Sequence, residues 1–336
     1  MIRVATVTFD KHNITFVCMK SRRAKPFVKW AGGKGRVLPV LESRLPKDLS
    51  RHEFTYIEPF VGGGALLFHL LNRYPNISRA VICDRNTALI NAYRIVKDHP
   101  LALIGHLKEL QDDYLPRNTE ARKEFYLHQR EAYNRGSLGP VETAALFIFL
   151  NRTCFNGLYR VNGSGKFNVP MGNYRTPLIC DSDTILADSE VLRRVEILDG
   201  DFSCIRSEIR GRTFVYFDPP YRPVGPTSKF NNYTAEVFDD REQLRLRDFV
   251  VSISGHCQFL LSNSDCPDNF FDSLYSGFDI ERVQVSRPIN SDIAGRGKVS
   301  EIIVSPASGY DRVRHTVSYT LKFPELERWF VSPDIF

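Results

Sequence analysis

The sequence predicts a doubly wound α/β domain that is interrupted by an inserted segment of helices and a hairpin. Residues 54–84 form a predicted βαβ unit: an apolar strand, a glycine turn that leads into an amphipathic helix, and a second strand. Four helical patterns without a strand follow, and strand-like runs return only after residue 194. Such a gap is unusual for a parallel sheet, so we place an insertion at residues 98–180.

The individual elements follow from apolar periodicity. Predicted strands are short runs rich in β-branched and aromatic residues, at 54–60, 79–84, 195–198, 213–217, 258–263, 278–285 and 300–305. Predicted helices cover 87–97, 101–114, 120–133 and 141–150. The α/β domain then consists of two pieces, 21–97 and 181–306, with an N-terminal extension (1–20) and a C-terminal extension (307–336).

Composition narrows the function classes. The 336 residues are 43% hydrophobic with a net charge of +6, which allows an anionic partner without requiring one. Seven cysteines without a CxxC pair and eight histidines without HxH or HExxH spacing argue against disulfides and against a bound metal. No apolar run approaches the roughly 20 residues of a membrane helix, and the N-terminus lacks the apolar core of a signal peptide. We therefore expect a cytoplasmic protein that binds neither metal nor membrane.

An acid and two prolines follow the predicted strand at 213–217, in the stretch VYFDPPYRP. Pro219 cannot donate a ladder hydrogen bond, so the strand should end at Asp218. Ligands of open α/β sheets bind at this carboxyl end, where consecutive prolines would fix the directions of Asp218 and Tyr221. Taken alone, the motif is equally compatible with a simple strand-ending turn.

The glycine turn after the first strand predicts a ligand pocket. Gly62, Gly63 and Gly64 stand where a helix begins, so the backbone can approach a ligand closely. A dinucleotide motif would need a further glycine where this chain has Leu67. Asp84 ends the next strand about 20 residues later, the position from which an acid binds ribose hydroxyls. A ribose without a pyrophosphate fits S-adenosylmethionine.

A tryptophan precedes this unit in KPFVKWAGGKGRVLPVL. Trp30 could belong to the core. Because glycines and two lysines, Lys29 and Lys34, flank it, we favour stacking of Trp30 on a flat ligand whose carboxylate or phosphate meets the lysines.

The end of the insertion has the composition of a nucleic-acid-binding hairpin. No Asp or Glu occurs between residues 143 and 180. Basic residues alternate there with aromatic ones, spaced by Gly and Asn: Arg152, Phe155, Tyr159, Arg160, Lys166, Phe167, Tyr174 and Arg175. A hairpin of this kind can contact phosphates, read base edges and wedge into a base stack, whereas an ordinary surface hairpin usually mixes its charges.

Taken in order, FVKWAGGK, YIEPFVGGGAL, the acid of VICDRN, GDF at 200–202 and DPPY resemble the Dam-type (D12 class) adenine-specific N6 DNA methyltransferases over about residues 25–304. The resemblance implies a Rossmann-like, S-adenosylmethionine-dependent methyltransferase sheet, double-stranded DNA as partner, and residues 98–180 as the target-recognition domain. It implies a catalytic group of Asp218, Pro219, Pro220 and Tyr221. It also implies a cofactor-binding group of Trp30, Lys34, Glu58, Phe60, Gly62, Gly64, Asp84, Asp201, Phe202 and Asp218. We expect a monomer.

The basic hairpin is similar to the recognition hairpin of that family, NGLxRxN followed by FNVPxG. By this resemblance Phe155 inserts beside a flipped adenine, where the family has tyrosine, so wedging is kept and a hydroxyl contact is lost. The resemblance also implies GATC as the site, read by Asn156, Leu158, Arg160 and Pro170 with a further base contact from Lys29. Arg152 and Lys166 complete the predicted DNA-binding group.

This chemistry suits DPPY. The exocyclic amine of adenine is a poor nucleophile because its lone pair is delocalised into the ring, so the enzyme must activate it. Acceptors from the Asp218 carboxylate and the Pro219 carbonyl would align the amine with the methyl group, while Tyr221 stacks on a base flipped at a cost of a few kcal/mol. No cysteine lies in or beside DPPY, so we expect direct transfer without a covalent intermediate.

Other functions stay open at this point. The same chemistry could act on another DNA site, such as GATATC, or on RNA. A non-catalytic DNA-binding protein and a dinucleotide oxidoreductase are less favoured, and zinc-dependent deamination lacks its HxE and PCxxC ligands. Two loops, at 222–234 and 286–300, are predicted to clamp phosphates or the flipped base.

Overall fold

The computed structural model describes residues 5–10, 13–18, 23–30, 32, 34–223, 238–286 and 298–307. The two loops predicted to clamp DNA fall for the most part outside these residues. At the N-terminus, strands β1 (Ala5–Asp10) and β2 (Asn13–Cys18) pair antiparallel. No helix in these ranges is long and apolar enough to cross a membrane.

A seven-stranded sheet forms the centre of the molecule. Its strands are β3 (Phe54–Pro59), β4 (Ile77–Asp84), β5 (Val195–Asp199), β6 (Thr213–Phe217), β7 (Gln258–Ser264), β8 (Asp279–Ser286) and β9 (Lys298–Ser305). All seven were predicted within two residues at each end, and the strand before DPPY ends at Phe217, one residue before Asp218. The predicted mixed α/β fold is therefore confirmed.

The strand order determines where a ligand can bind. The order is β5-β4-β3-β6-β7-β9-β8. After β3 the chain places β4 and β5 on one side of β3, and it then crosses over to place β6 on the other side. Neighbouring strands from β5 to β7 are parallel, whereas β9 runs antiparallel to both β7 and β8. The carboxyl ends of β3 and β6 therefore flank a topological switch point, the usual ligand crevice of doubly wound sheets.

Both faces of the sheet are covered. Tyr56 and Tyr216 belong to one hydrophobic core, while their neighbours Ile57 and Val215 belong to a second core on the opposite face. Side chains alternate between the two faces along a strand, so neighbouring residues that are both buried show that both faces of the sheet are covered.

Nine α-helices lie in the described ranges: α1 (Leu38–Glu42), α2 (Ala65–Arg73), α3 (Thr87–Asp98), α4 (Pro100–Tyr114), α5 (Thr119–Arg135), α6 (Pro140–Thr153), α7 (Ser182–Leu192), α8 (Asp240–Ile253) and α9 (Phe270–Leu274). The four helices predicted between residues 87 and 150 correspond to α3–α6. Helix α2 corresponds to the predicted helix of the βαβ unit, whereas α7, α8 and α9 were not predicted.

The inserted helices share a core with the sheet. Tyr114, Tyr126 and Phe149 are buried together and belong to the same cluster as Tyr56 of β3. The insertion is thus packed directly on one face of the α/β unit, and the hairpin that follows α6 is carried by this common core.

Candidate functional site

The glycine turn is shaped by the indole of Trp30. Gly62 and Gly64 have φ of +49° and +68°, which favour glycine. A Cβ at Gly62 would lie 2.8 Å from Trp30 Cδ1, and one at Gly64 would lie 2.5 Å from the Tyr93 hydroxyl. The Trp30 ring is also stacked with Tyr159 of the hairpin, with ring centroids 5.8 Å apart. Trp30 therefore lies between the predicted cofactor turn and the predicted DNA-binding hairpin.

Asp84 stabilises the same turn from the end of β4. Its carboxylate accepts hydrogen bonds from the backbone N–H groups of Gly62 (3.1 Å) and Asn86 (2.9 Å). Burial raises the pKa of Asp84, and these N–H donors oppose that rise. A carboxylate has about four lone-pair positions, so acceptor capacity is left for a ligand hydroxyl.

The residues of GDF play two different roles. The Asp201 carboxylate accepts hydrogen bonds from Arg85 and Arg245 (2.6 Å each) and from the Ser203 N–H (3.0 Å). Burial alone would raise the pKa of Asp201, but the hydrogen bonds from Arg245 and Ser203 hold it well below its usual range. Phe202 is buried and packs against Phe60, with ring centroids 5.5 Å apart. Asp201 thus anchors the loop, and the aromatic wall of the crevice comes from Phe60 and Phe202.

A polar cluster occupies the rim at the end of β6. Lys34 Nζ lies 2.9 Å from Asp218 Oδ1 and 3.7 Å from Glu301 Oε2, and it donates a hydrogen bond to the Tyr221 hydroxyl. The Tyr221 hydroxyl in turn donates to Glu301 Oε2 at 2.9 Å. Lys34 and Glu301 are almost fully buried, at 6% and 7% exposure. Lys34, predicted as a cofactor contact, forms an ion pair with Asp218, which was predicted to be catalytic.

Three effects, not all in the same direction, act on the pKa of Asp218. Burial raises this pKa, Lys34 lowers it through its charge and hydrogen bond, and the nearby charge of Glu301 raises it. The net result is a pKa above the usual value for aspartate. Asp218 therefore becomes protonated at a higher pH than an exposed aspartate does.

Glu58 lies in β3, two residues after Tyr56, so the two side chains lie on the same face of the sheet. It accepts a hydrogen bond from the Tyr56 hydroxyl at 2.8 Å and is 3% exposed. Burial raises the pKa of Glu58 to about 8, although the bond from Tyr56 opposes that rise. The Glu58 side chain is therefore largely protonated in the folded protein at neutral pH.

Replacing Glu58 by glutamine should flatten the dependence of stability on pH. In the unfolded chain Glu58 ionises near its ordinary pKa, so it costs the native state stability as pH rises from about 4.5 to about 8. Urea unfolding at pH 5 and pH 8 should show a smaller loss in Glu58→Gln than in the wild type, by about 2–4 kcal/mol. Equal losses in the two proteins would mean that Glu58 is ionised in the fold.

Two buried amides support the DPPY turn from behind. Gln243 of α8 donates to the Pro220 carbonyl at 3.1 Å and accepts from Asn263 of β7 at 3.1 Å, and both amide side chains are fully buried. Within the described part of the chain, no backbone N–H donates to the Pro219 carbonyl. The Pro220 carbonyl is therefore fixed to the protein, while that of Pro219 stays available to a ligand.

The segment after α6 folds as an irregular hairpin. Isolated antiparallel bridges join Cys154 to Met171 and Val161 to Phe167. Helix α5 holds one arm, since the Asn134 amide bonds both the N–H and the carbonyl of Phe167. The predicted hairpin is present, and its position relative to the sheet is set by the inserted helices.

Most of the predicted DNA-binding residues lie on the outside of this hairpin. The exposed ones are Phe155, Asn156, Arg160, Lys166 and Pro170. Phe155 is 52% exposed, which is unusual for a phenylalanine. Arg160 is oriented by a hydrogen bond from its Nε to Asn168 Oδ1 at 2.8 Å.

The other three residues of the predicted DNA-binding group, Lys29, Arg152 and Leu158, are less exposed. Arg152 donates through Nε and Nη2 to the carbonyl of Phe27, and Leu158 is half-buried. The ammonium of Lys29 lies 4.0 Å from the ring centroid of Tyr174. Arg152, in the last turn of α6, joins that helix to the segment before Trp30.

Sequence reasoning missed the buried polar residues that hold these groups. Glu301 and Asn263 were predicted only as residues of strands, and Gln243 was not in any predicted element. Asn151 was missed as well: it is 1% exposed and bonds the backbone of Lys29 (2.8 Å) and the Gly157 carbonyl (2.9 Å). The usable signal was a polar residue inside an apolar run, as in LNRT or SEIIVS. Over the described ranges, no cluster of three or more His, Cys, Asp or Glu could hold a metal ion.

Comparison with known proteins fits this geometry. The family model described as D12 class N6 adenine-specific DNA methyltransferase matches residues 30–289. The chain is 45% identical to the type II methyltransferase M.MjaIII of Methanocaldococcus jannaschii, covering 79% of this chain and 93% of that protein. It is 40% identical to the type II methyltransferase M1.LlaDCHI of Lactococcus lactis subsp. cremoris (84% and 95% covered). It is 32% identical to the DNA adenine methylase of Escherichia coli K12 (86% and 99% covered).

Proposed function

The chain belongs to the D12 class of N6 adenine-specific DNA methyltransferases, and from this premise we propose that it uses S-adenosylmethionine to methylate a flipped-out adenine within GATC. The observation that carries the proposal is the rim of the switch point. The Asp218 carboxylate lies there 2.9 Å from Lys34, beside Tyr221. The glycine turn, Asp84 and the aromatic wall line the neighbouring crevice.

The chemistry of the crevice fits S-adenosylmethionine. Asp84 retains acceptor capacity for ribose hydroxyls, Phe60 and Phe202 offer an apolar surface to a flat base, and Trp30 closes the glycine turn. When bound, the cofactor supplies a methyl group on a positively charged sulfur. The chain's own contribution is to bind it, to keep water out and to present an activated amine.

Asp218 and the Pro219 carbonyl activate that amine. Each can accept one N–H of the adenine amino group, which favours a nitrogen whose lone pair points away from the ring plane. Both acceptors are held before substrate arrives: Lys34 orients Asp218, and the Gln243–Asn263 pair fixes the following residue of the turn. Pre-oriented acceptors cost little reorganisation during the reaction.

The hairpin supplies DNA recognition. Exposed Phe155 is suited to fill the space that a flipped base leaves in the stack, and Tyr221 offers its ring to the base in the pocket. Arg160, held by Asn168, is suited to bind a guanine edge with two hydrogen bonds. Lys166 at the exposed tip is suited to a phosphate contact.

Nucleotide-resolution mapping tests the proposal. Plasmid DNA is incubated with the protein and isotopically labelled S-adenosylmethionine, and the modified bases are then located and identified. We expect N6-methyladenine at GATC. Label at GATATC or in single-stranded RNA would support the alternative substrates, label on cytosine would refute the chemistry, and DNA binding without any label would indicate a non-catalytic protein.

Replacing Arg160 by alanine should relax base preference. Loss of a bidentate contact costs roughly 1–3 kcal/mol of discrimination at one base pair of the site. Methylation of oligonucleotides that carry every single substitution in GATC would locate that position. Lys166→Ala is the matched control, because loss of a phosphate contact should weaken binding to all sequences alike. Unchanged preference in Arg160→Ala would reassign this arginine to the DNA backbone.

A further inference from the structure

We propose that Glu301 is a positioning residue for methyl transfer: its carboxylate holds the hydroxyl of Tyr221 and shares the ammonium of Lys34 with Asp218. The inference rests on the proposed function and adds to it a residue from the far side of the sheet.

The antiparallel direction of β9 brings Glu301 to the reactive rim. Glu301 pairs in register with Ser264, the last residue of β7. A residue near the start of β9 therefore lies where the parallel strands end, at the same edge as Asp218. Its side chain is 9% exposed, and an acid is seldom so deeply buried without a specific partner.

Glu301 and Lys34 use both hydrogen-bonding directions of the Tyr221 hydroxyl. The hydroxyl donates its one hydrogen to Glu301 Oε2 at 2.9 Å and accepts a hydrogen bond from Lys34. The Lys34 ammonium also lies 4.3 Å from the centroid of the Tyr221 ring. The ring that is proposed to stack on the flipped base is thus held in place before the base arrives, so part of the cost of ordering it is already met by the fold.

Because Glu301 also lies near the Lys34 ammonium, the positive charge of Lys34 is shared between the carboxylates of Asp218 and Glu301. One ammonium lies between two carboxylates, 2.9 Å from Asp218 and 3.7 Å from Glu301. The ionisable groups that face Asp218 come from several elements: Lys34 before α1, Tyr56 and Glu58 of β3, Tyr216 of β6, Tyr221 of the turn and Glu301 of β9. Among the two acids in this group, Glu301 is the one that also contacts Lys34.

Three variants separate the two roles of Glu301. Glu301→Gln keeps an acceptor for Tyr221 but removes the charge, Glu301→Ala removes both, and Tyr221→Phe removes the hydroxyl. We expect kcat to fall about tenfold or more in Glu301→Ala and by a smaller factor in Glu301→Gln, with KM for DNA nearly unchanged. Fluorescence of 2-aminopurine at the target position should report less flipping in Glu301→Ala.

The double variant Glu301→Ala with Tyr221→Phe tests whether the two residues act as one unit. If Glu301 acts through Tyr221, the second change should add little to the first. Fold-losses that multiply, or a kcat in Glu301→Ala equal to that of the wild type, would overturn the proposal. Since Glu301→Gln and Tyr221→Phe are nearly isosteric, they keep the test valid even if Glu301→Ala does not fold.

The pH profile and a matched control exclude a merely structural role. The like charge of Glu301 raises the pKa of Asp218, so Glu301→Gln should move the acid limb of kcat/KM to lower pH. Glu281→Gln on the neighbouring strand removes an exposed acid paired with Arg44 and should leave kcat and the profile unchanged. An unshifted acid limb in Glu301→Gln would contradict the shared-charge role. Product analysis in the same reactions distinguishes failure of this proposal from failure of the proposed function. If the proposed function is wrong, even the wild type forms no N6-methyladenine. If only the role of Glu301 is wrong, the wild type still forms it.

Discussion

Replacement of Asp218 by alanine is expected to lower the single-turnover rate of methyl transfer by at least about 10²–10³-fold. The change removes the acceptor that is held at the rim by Lys34 and leaves the amine of the flipped base unactivated. Cofactor and DNA binding should suffer less, because the Asp84 turn and the hairpin lie elsewhere. Rapid-quench measurement with saturating DNA and labelled cofactor gives the rate directly.

A binding isotherm is the control for this variant. If Asp218→Ala binds cofactor and DNA within about tenfold of the wild type but transfers no methyl group, the loss lies in the chemical step. A variant that retains most of its single-turnover rate would refute activation of the amine by Asp218.

Replacement of Lys34 by methionine is expected to damage stability and activity together. The change leaves the two carboxylates of Asp218 and Glu301 without their shared cation, and breaking a buried pair costs about 3–5 kcal/mol. Because Lys34 lowers the pKa of Asp218, this pKa should rise in the variant. Because the unfolded aspartate is the same in both proteins, the added loss of stability is small below the folded-state pKa of wild-type Asp218 and grows as pH rises above it.

Urea unfolding and pH–rate profiles check these effects of Lys34→Met. The acid limb of the rate profile should move to higher pH, and adding Glu301→Gln should restore part of the lost stability. Lys25→Met is the matched control, since Lys25 pairs with Asp181 at 3.1 Å but its side chain is 55% exposed, so the change should cost no more than about 1 kcal/mol. Equal destabilisation by the two methionines would show that the buried cluster is not charged as described.

The fold could be predicted from the sequence where local pattern and tertiary environment agree. The strand at Thr213–Phe217 is fully buried and consists of β-branched and aromatic residues, so its pattern has one interpretation. Helix α8 (Asp240–Ile253) was missed, although its N-cap Asp239 accepts hydrogen bonds from the Arg241 and Glu242 N–H groups. Its polar face and the irregular sequence before it obscure the helical period. The direction of β9 could not be predicted either, because nothing in the local sequence distinguishes an antiparallel strand from a parallel one at this position.

The same distinction holds for the candidate site. Asp218, Asp84 and the glycines could be predicted to lie at one rim because each stands at or shortly after the end of a strand. Glu301 could not, because its placement depends on the direction of β9 and its register with β7. Asp201 stays a predicted cofactor contact, but the hydrogen bonds that its carboxylate accepts from Arg85 and Arg245 could not be predicted, because these residues are distant in the sequence. Contacts of this kind exist only after the chain has folded.

The most direct test of the central claim is the single-turnover rate of methyl transfer as a function of pH, measured in the wild type and in Asp218→Asn. If an ionised, half-buried Asp218 activates the amine, the wild-type rate should fall on the acid side with an apparent pKa above the usual 3.8 of aspartate. The rate of Asp218→Asn should be low at every pH and lack that acid limb. An asparagine variant that reacts at a rate near that of the wild type, with the same acid limb, would contradict this mechanism.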